Sequence, residues 1–298
     1  MKKRVNGWFV YSGYFWSEST HFLVDRFTEE FAKLGSPLKI LKSNEITFYI
    51  NNEGELINVQ NFDKPDFVIF WDKDLPLAQS LEMWGVRIYN NSKAIEVCDS
   101  KILTHLTLAE HSINMPKTIF APLVFTTCTE TNDVFLNNLL KVIGFPIVIK
   151  ESSGSFGQQV YLAHDLDELR AIRKKLLYIP HLYQEFISSS AGKDVRVIIL
   201  NGKVIASMLR HNEHDFRSNI ELGGDNEKVE LTKEFSDIAL NAAKIIGLEF
   251  CGIDLLFGKN GQPILCEVNS NAYFKGIMQS TGINVVKMYA EYILAQTK

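Results

Sequence analysis

The stretch "GIDLLFGKNGQPILCEVNSN", residues 252–271, reads as two apolar strands joined at Asn260-Gly261. Asn-Gly is the dipeptide that best suits a two-residue type I′ turn, because both central positions of that turn need a positive φ. A turn at this place predicts that Asp254 lies directly opposite Glu267. Side chains alternate along a strand, so Asn269 is expected on the same face as Glu267. The sequence therefore predicts three oxygen-bearing side chains on one patch of sheet.

This patch has two open interpretations. Two carboxylates in direct cross-strand opposition repel each other unless one is protonated or a cation lies between them. Alternatively, a bulge shifts the turn by one residue and the acids point to solvent. Hard oxygen donors suit Mg²⁺ best, and Mg²⁺ usually binds together with phosphates. The first interpretation therefore predicts a magnesium site beside a phosphate site.

Composition indicates an ordinary globular protein. The chain has 298 residues, of which 46% are hydrophobic, so it can bury a sizeable core. Its 31 basic and 35 acidic residues give a net charge of −4, which is no electrostatic signature of binding to nucleic acid or to an anionic membrane. The sequence contains no run of about 18 apolar residues, so a transmembrane helix is not expected. A small-molecule or protein partner is favoured.

The cysteines and the N-terminus favour the cytoplasm. The cysteines form no C-x-x-C pair, which argues against a zinc knuckle and a disulfide framework; they are Cys98, Cys128, Cys251 and Cys266. The aromatic run after Met1–Arg4 is interrupted by Asn6 and Gly7 and lacks a small-x-small cleavage site. We interpret it as a buried strand rather than a signal peptide.

Strand and helix patterns divide the chain into three units. Through about residue 90, apolar strands and a helix over 20–34 are typical of a small α/β unit. A helical stretch over 94–111, several strands and a helix over 165–177 indicate an α+β unit. The last third begins with a hairpin around Asn201-Gly202 and ends with a helix over 284–296. The expected units are 1–95, 96–190 and 191–298.

A glycine-bearing loop, "KESSGSFGQQV" at 150–160, follows an apolar strand. Gly154 and Gly157 let backbone N–H groups turn toward an anion, and Lys150 adds a fixed positive charge. The loop matches neither G-x-x-x-x-G-K-[ST] nor G-x-G-x-x-G, so the two commonest nucleotide fingerprints are absent. From these residues alone, a phosphate-binding loop and a plain Ser/Gly-rich turn both remain open.

Several separated motifs follow one another along the chain. They are Lys101 in "CDSK", Lys150 in "FPIVIK", the Ser/Gly loop, "YQEFI" at 183–187, "DVRV" at 194–197, "HDFRSNIELGG" at 214–224, and Asp254 with "EVN" at 267–269. In order and spacing they resemble the ATP-grasp superfamily, and most closely its RimK-type, alpha-L-glutamate ligase-like branch. The resemblance runs from about residue 86 to the C-terminus. It implies an ATP-grasp fold of mixed α/β and α+β class, with an N-terminal α/β substrate domain, a central lid domain and a C-terminal domain that holds the metal site.

The resemblance also implies an activity. ATP-grasp ligases phosphorylate a carboxylate with ATP and let an amine attack the acyl phosphate, which yields an amide, ADP and phosphate. ATP and one or two Mg²⁺ ions are the implied cofactors, with Mn²⁺ as an alternative ion. The carboxylate and amine substrates are expected to be an amino acid, a peptide or a peptide-like metabolite. Two alternatives stay open, a kinase with this fold and a non-catalytic nucleotide-binding regulator. Family members often form dimers or tetramers, so a homo-oligomer is a further expectation.

The roles of single residues are likewise implied by the resemblance. Contacts to ATP are expected from Lys101, Lys150, the lid residues Ser153, Gly154, Ser155, Phe156 and Gly157, the base and ribose site Gln184, Glu185, Phe186 and Ile187, and Asp194, Arg210 and Asn219. The expected catalytic side chains are Lys150, Arg210 and Arg217, with Arg217 directed at the acyl phosphate and Ser218 assisting. The expected metal ligands are Asp254, Glu267 and Asn269.

Without the resemblance, several of these residues have simpler interpretations. Lys101 could be a solvated surface lysine, and Gln184 with Glu185 could form an exposed strand edge. Arg196 and Arg210 would be costly if buried unpaired, so they are expected either at the surface or as anion ligands. The pair His211 and His214 permits a zinc site, but a contact from His211 to substrate or phosphate is favoured.

Two departures from the branch bear on the substrate. The lid reads "GSFGQQ", with a glutamine where the branch often has another glycine. The segment "EVNSNAYFKG" lacks the Pro-Gly that often follows the metal-binding asparagine, and it places Tyr273, Phe274 and Lys275 beside the acceptor site, so glutamate is not assured as the acceptor. A further aromatic group is expected either to line a substrate pocket or to belong to the core: Tyr11, Tyr14, Phe15 and Trp16.

Overall fold

The N-terminal part of the chain forms a four-stranded parallel sheet. The computed structural model describes residues 5–15, 17–128, 132–220 and 223–297. The first elements are β1 (Gly7–Tyr11), α1 (Glu18–Lys33), β2 (Lys39–Lys42), β3 (Phe48–Ile50), β4 (Leu56–Asn58), β5 (Phe67–Trp71), α2 (Leu75–Met83) and β6 (Arg87–Tyr89). The sheet order is β2-β1-β5-β6, and β3 pairs with β4 separately. Every residue of β1 and β5 is buried, as expected for parallel strands that are covered on both faces.

The central part forms an antiparallel sheet in which one face is apolar and the other is not. Its elements are α3 (Ser92–Asp99), α4 (Lys101–Leu108), β7 (Thr118–Phe120), α5 (Val134–Leu140), β8 (Ile147–Glu151), β9 (Val160–Ala163), α6 (Leu166–Lys175) and β10 (His181–Glu185). The strand order is β7-β10-β8-β9. Ile147 and Ile149 pack in one core with Leu139 of α5 and Leu169 of α6. Alternation along β8 leaves Val148 and Lys150 on the opposite face.

The C-terminal part forms a five-stranded antiparallel sheet. Its elements are β11 (Lys193–Leu200), β12 (Lys203–His211), β13 (Asp225–Lys228), α7 (Lys233–Ile246), β14 (Phe250–Phe257), β15 (Pro263–Asn269), α8 (Lys275–Thr281) and α9 (Val285–Gln296). The strand order is β13-β12-β11-β14-β15. Val195 and Val197 pack in one core with Ala239 of α7. Asp194 and Arg196 therefore project from the other face of the sheet.

The helix predicted over 94–111 is two helices, because the chain breaks at Ser100. Ser100 is extended, with φ −107° and ψ 107°, and its side chain accepts a hydrogen bond from the Leu103 N–H at 3.2 Å. This cap starts α4 at Lys101. The Lys101 N–H donates to the Ser152 carbonyl at 2.8 Å, which ties the start of α4 to the end of β8. The break thus places Lys101 beside the glycine-bearing loop.

The opening hairpin has the predicted facing residues but not the predicted turn. Of Asn260 and Gly261, only Gly261 has a positive φ, 80°, and the connection between the strands spans 258–262, so the type I′ prediction was wrong here. A bulge then shifts the register between Asp254 and Leu255, and Cys266 is the extra residue. The two shifts offset each other, and Asp254 does pair with Glu267. At Asn201-Gly202 both φ values are positive, 48° and 67°, as a type I′ turn requires.

Aromatic side chains from both ends of the chain share one hydrophobic core. Phe27 of α1 packs edge-on against Phe274, and their ring centroids are 6.2 Å apart. Phe250 of β14 stacks on Tyr289 of α9 at 4.6 Å. The same cluster contains Phe9 of β1. The parallel sheet and the C-terminal sheet are therefore packed as one block through α1, α8 and α9.

The side chain of Asn90 joins the same two sheets through hydrogen bonds to backbone atoms of the C-terminal sheet. Its side chain is buried, and its Nδ2 donates to the carbonyls of Phe250 and Ser270 at 2.7 and 2.9 Å. Its Oδ1 accepts from the N–H groups of Glu249 and Phe250 at 3.0 and 3.1 Å. Each polar atom of this amide is thus satisfied by the ends of β14 and β15.

The structure adds two observations on membrane and redox features. All four cysteines are free thiols. Within the described residues, every helix is too short or too polar to cross a bilayer.

Candidate active site

A cleft lies between the central sheet and the C-terminal sheet. The cleft is lined by most of the residues singled out in the sequence: Lys101, Lys150, Gly154, Ser155, Phe156, Gly157, Gln184, Glu185, Phe186, Ile187, Asp194, Arg210, Arg217, Ser218, Asn219, Asp254 and Glu267. Ser153, His211 and Asn269 are not among its lining residues.

Several lining residues were missed by the sequence analysis. The apolar ones are Pro116, Val148, Val160, Phe216 and Leu256, and the polar ones are Gln159, Ser190, Lys193 and Cys266. An apolar side chain in a strand looks like core, which hid the apolar group. Strand alternation could have found two of them, because Val148 shares a face with Lys150 and Leu256 shares a face with Asp254.

Four charged side chains form a row across the cleft-facing side of the C-terminal sheet. Arg210 of β12 donates from Nε to Asp194 of β11 at 2.7 Å, and its Nη2 lies 3.0 Å from Asp254. Arg196 of β11 donates hydrogen bonds to both carboxylate oxygens of Asp254, at 2.7 Å each. Of the two expected places for these arginines, the surface is wrong, since Arg210 is buried and Arg196 is largely so. They are paired with carboxylates, and this pairing makes their burial affordable.

Ion pairing within the row shifts the pKa values of Asp254 and Arg210. Burial alone raises the pKa of Asp254, but the charges of Arg196 and Arg210 outweigh burial and lower its pKa to about 2. Burial likewise lowers the pKa of Arg210, and Asp194 and Asp254 more than reverse this, so its pKa lies above the ordinary arginine value. Asp254 and Arg210 are therefore ionised at neutral pH.

Glu267 completes the carboxylate pair on β15. Its Oε1 lies 3.3 Å from the Lys101 ammonium group. Burial raises the pKa of Glu267, but Lys101, Lys150 and Arg196 together bring it below the ordinary value despite the nearby Asp254. Lys101 is only 13% exposed in its side chain, so the surface-lysine interpretation was wrong. The repulsion between the opposed carboxylates is thus offset by side-chain cations of the protein.

The donor set next to this pair suits Mg²⁺. Asp254, Glu267 and Asn269 offer only hard oxygen donors from two adjacent strands. The Asn269 Nδ2 is buried and makes no hydrogen bond to any residue that the structure describes, so its amide is not committed on that side. Across the described ranges, no cluster of three His, Cys, Asp or Glu side chains forms an all-protein metal site. This pattern suits an ion that shares its coordination with a ligand's oxygens.

The far end of the cleft is built around Gln184 of β10. Gln184 is 1% exposed, and its Nε2 contacts His105 Nε2 at 2.8 Å and Thr118 Oγ1 at 2.9 Å. The interpretation of Gln184 as an exposed edge was wrong, since β10 lies inside the sheet between β7 and β8. Burial lowers the pKa of His105 to about 4, and Lys150 contributes. His105 is therefore neutral at physiological pH.

The loop over 153–159 is held over the cleft from both neighbouring parts of the chain. Phe156 stacks on Phe15 at 6.1 Å and contacts Tyr273 at 5.6 Å between ring centroids. Arg217, which is paired with Asp215, also donates from Nη1 to the Gly157 carbonyl at 2.6 Å. The Ser155 N–H donates to the side chain of Gln159 at 3.1 Å, so a glutamine of the "GSFGQQ" segment occupies a loop amide.

The remaining aromatic and histidine candidates are dispersed. Tyr11 and Phe274 belong to the shared core, while Tyr14 is 89% exposed. Phe15 contacts the loop, and Trp16 lies outside the described residues. His211 pairs in the ladder at the end of β12, and His214 is exposed. Lys275 lies over the Phe22 ring at 5.8 Å.

Relatives of known sequence cover about three quarters of the chain. A probable alpha-L-glutamate ligase from Maridesulfovibrio salexigens is 38% identical over 221 residues, which are 73% of this chain and 70% of that protein. N-acetylaspartylglutamate synthase A from Homo sapiens is 33% identical over 226 residues, 75% of this chain but only 56% of that longer protein.

Solved structures extend the likeness to the whole fold. The ATP-grasp ligase PsnB, complexed with a phosphomimetic variant of its minimal precursor, Mg and ADP, superposes with a TM-score of 0.73 at 19% identity over 99% of both chains. The expected fold class and the resemblance are thereby confirmed. The family model described as a RimK-like ATP-grasp domain matches residues 98–293. The chain therefore belongs to the RimK-like ATP-grasp family.

Proposed function

We propose that the protein is an ATP- and Mg²⁺-dependent ligase that joins a carboxylate to an amine. The observation that carries this proposal is a single cleft in which two lysines, a buried arginine and the Asp254–Glu267 pair lie together. Cations suited to phosphates and oxygen donors suited to Mg²⁺ are what phosphoryl transfer requires, since positioning and charge neutralisation do most of the catalysis.

The proposed nucleotide contacts follow the walls of the cleft. Lys101 and Lys150 hold the phosphates, helped by the loop Ser153–Gly157. Lys150 Nζ now lies 3.6 Å from Cys266 Sγ, a weak acceptor that a phosphate oxygen can replace. Gln184 to Ile187 surround the base and ribose, and Asp194 and Asn219 complete the site. The apolar side chains Val148 and Leu256 supply flat walls for a purine.

The proposed reaction has two steps. A substrate carboxylate oxygen attacks the γ-phosphorus of ATP, the bond from that phosphorus to the β-γ bridging oxygen breaks, and ADP leaves. A neutral amine then attacks the acyl carbon, phosphate leaves with the carbon–oxygen bonding pair, and the amine loses a proton. Arg210 is fixed at the phosphate end, and Arg217 can leave Asp215 to stabilise the oxyanion of the second step.

Asp254, Glu267 and Asn269 are the proposed ligands of one or two Mg²⁺ ions, with Mn²⁺ as a substitute. When bound, the metal neutralises phosphate charge. Asp254 is preoriented by Arg196, and Glu267 by Lys101.

The substrates proposed are an amino acid, a peptide or a peptide-like metabolite. Names of relatives support this class, since they include a probable alpha-L-glutamate ligase and an N-acetylaspartylglutamate synthase. Tyr273 and Phe15 near the loop favour a substrate with apolar as well as polar surface. We also propose that the enzyme is cytoplasmic and that it forms homo-oligomers. Light scattering on the purified protein tests the oligomeric state.

A pooled screen tests the proposed function. Purified protein is incubated with ATP, Mg²⁺ and mixtures of amino acids and short peptides, and both free phosphate and new masses are measured. A ligase releases phosphate together with a product that equals the two substrates minus water. A kinase instead gives ADP without free phosphate and a product heavier by one phosphoryl group. Nucleotide binding without turnover in any pool supports the regulator.

A further inference from the structure

The carboxamide of Gln184 is held at one end and open at the other. Its Nε2 contacts Thr118 Oγ1 and His105 Nε2, at 2.9 and 2.8 Å. Its Oε1 accepts no hydrogen bond from the residues that the structure describes, although the side chain is 99% buried and lines the cleft. An acceptor at the cleft that no described residue engages is available to a hydrogen-bond donor of a ligand.

Two backbone carbonyls fix which way this amide points. The Thr118 hydroxyl donates to the Pro116 carbonyl at 2.8 Å, so toward Gln184 its oxygen can only accept. The His105 Nδ1 lies 2.8 Å from the Lys101 carbonyl, which cannot donate, so Nδ1 carries the proton. In a neutral imidazole, Nε2 is then an acceptor. Both neighbours therefore require the NH₂ group of Gln184, and both hold its oxygen away from them.

The direction of this oxygen matters for base recognition. The 6-amino group of adenine is a hydrogen-bond donor, whereas the 6-oxo group of guanine is an acceptor. An amide oxygen facing that position bonds to adenine and opposes guanine, while a flipped amide would do the reverse. A site committed to one hydrogen-bond polarity rejects the wrong partner because a buried polar group would be left unpaired.

We propose that His105 is a positioning residue that locks Gln184 with its oxygen toward the base and thereby makes the cleft select adenine over guanine nucleotides. The inference rests on the proposed function only in placing the purine beside β10. His105 reaches no ligand itself. It acts through the Gln184 amide, with the Lys101 carbonyl as the fixed end of the chain of hydrogen bonds.

Competition binding of ATP and GTP to the full-length protein, each with Mg²⁺, tests the proposal. The wild-type protein is expected to prefer ATP by about 100-fold. His105→Leu removes one of the two acceptors that hold the amide, and the ATP-to-GTP ratio should fall about tenfold, mainly through better GTP binding. His105→Gln can return an amide oxygen to the Nε2 position and should restore most of the ratio. His111→Leu, an exposed histidine just past α4, is the matched control.

The outcomes separate the two hypotheses. An unchanged ratio in His105→Leu overturns the role of His105 while leaving the ligase intact. Wild-type protein that binds neither nucleotide overturns the proposed function and this inference together. Nitrogen NMR on wild-type protein provides a second, spectroscopic test. The signal that His105→Gln removes should show a protonated Nδ1 and an unprotonated Nε2, and the opposite tautomer would contradict the proposal.

Discussion

Glu267 offers a direct mutational test at the residue scale. Asp254 is held by two arginines, whereas Glu267 faces Lys101 at 3.3 Å. Glu267→Ala therefore removes a proposed metal ligand and leaves the charged row in place. We expect turnover with ATP to fall by about 100-fold or more, with little change in the thermal unfolding midpoint. The matched control is Glu53→Ala, at an exposed turn. Near-native turnover in Glu267→Ala would show that the metal assignment is wrong.

His105 links the site to the pH dependence of stability. Its pKa is 6.5 in an ordinary environment and about 4 in the folded protein. Between these pH values the unfolded chain therefore binds more protons than the folded protein. The stability that neutral His105 contributes is complete above pH 6.5 and is lost as the pH falls toward 4. The difference corresponds to about 3 kcal/mol of unfolding free energy.

Urea unfolding at pH 7 and pH 4.5 measures this contribution. The wild-type protein should lose about 2 kcal/mol more between the two pH values than His105→Leu, whose side chain cannot titrate. His111→Leu should behave like wild type, because that histidine is exposed. Equal losses in wild type and His105→Leu would mean that His105 is not held neutral.

At the scale of elements, the loop over 153–159 can be opened without disturbing a core. Phe156 makes contacts to Phe15 and Tyr273, and it lies outside the main hydrophobic clusters. Phe156→Ala should speed amide hydrogen exchange in this loop about tenfold or more, since local opening loses its apolar contacts. The global unfolding midpoint should stay nearly constant. Phe125→Ala, at a position 71% exposed, is the control. Unchanged exchange in the loop would show that the aromatic contacts do not hold it.

Local patterns predicted most strands and long helices, because alternation and the 3.6-residue period report directly which side chains face a core. They could not predict breaks that tertiary contacts impose. The Leu265 N–H donates to the Asn114 carbonyl at 2.7 Å, beside the bulge at Cys266, and nothing in the local sequence marks that partner. Likewise, β13 lies in a polar segment whose strand character comes from pairing with β12.

Only part of the candidate site could be predicted from the sequence. Charged and glycine residues of the cleft were found by their motifs, whereas Val148 and Leu256 resemble any other core residue in a strand. The pairing of Arg196 with Asp254 required knowledge that β11 lies beside β14, which the sequence alone leaves open. His105 carried no sequence signal at all, since its role depends on β10 lying against α4.

At the scale of the whole molecule, the charges around the carboxylate pair predict how the metal enters. Lys101, Lys150, Arg196 and Arg210 outnumber the carboxylates of Asp194, Asp254 and Glu267 by one. A bare divalent cation is therefore repelled, while the anionic complex of Mg²⁺ with ATP is attracted.

Calorimetry tests this order of binding. Nucleotide-free protein should bind Mg²⁺ only at concentrations of about 5 mM or higher, and Mg²⁺ should tighten binding of a non-hydrolysable ATP analogue at least about tenfold. In Glu267→Ala the effect of Mg²⁺ on the analogue should largely disappear. Tight binding of Mg²⁺ to the nucleotide-free protein would contradict the prediction.

The core that unites Phe9 and Phe27 with Phe274 and Tyr289 has a consequence for building chimeras. The family match covers 98–293, so the first ninety or so residues look like an exchangeable cassette. The packing contradicts this, because α1 buries its apolar face against α8 and α9. A chimera that carries the N-terminal segment of a relative should be insoluble unless α8 and α9 are also replaced by the helices of that relative.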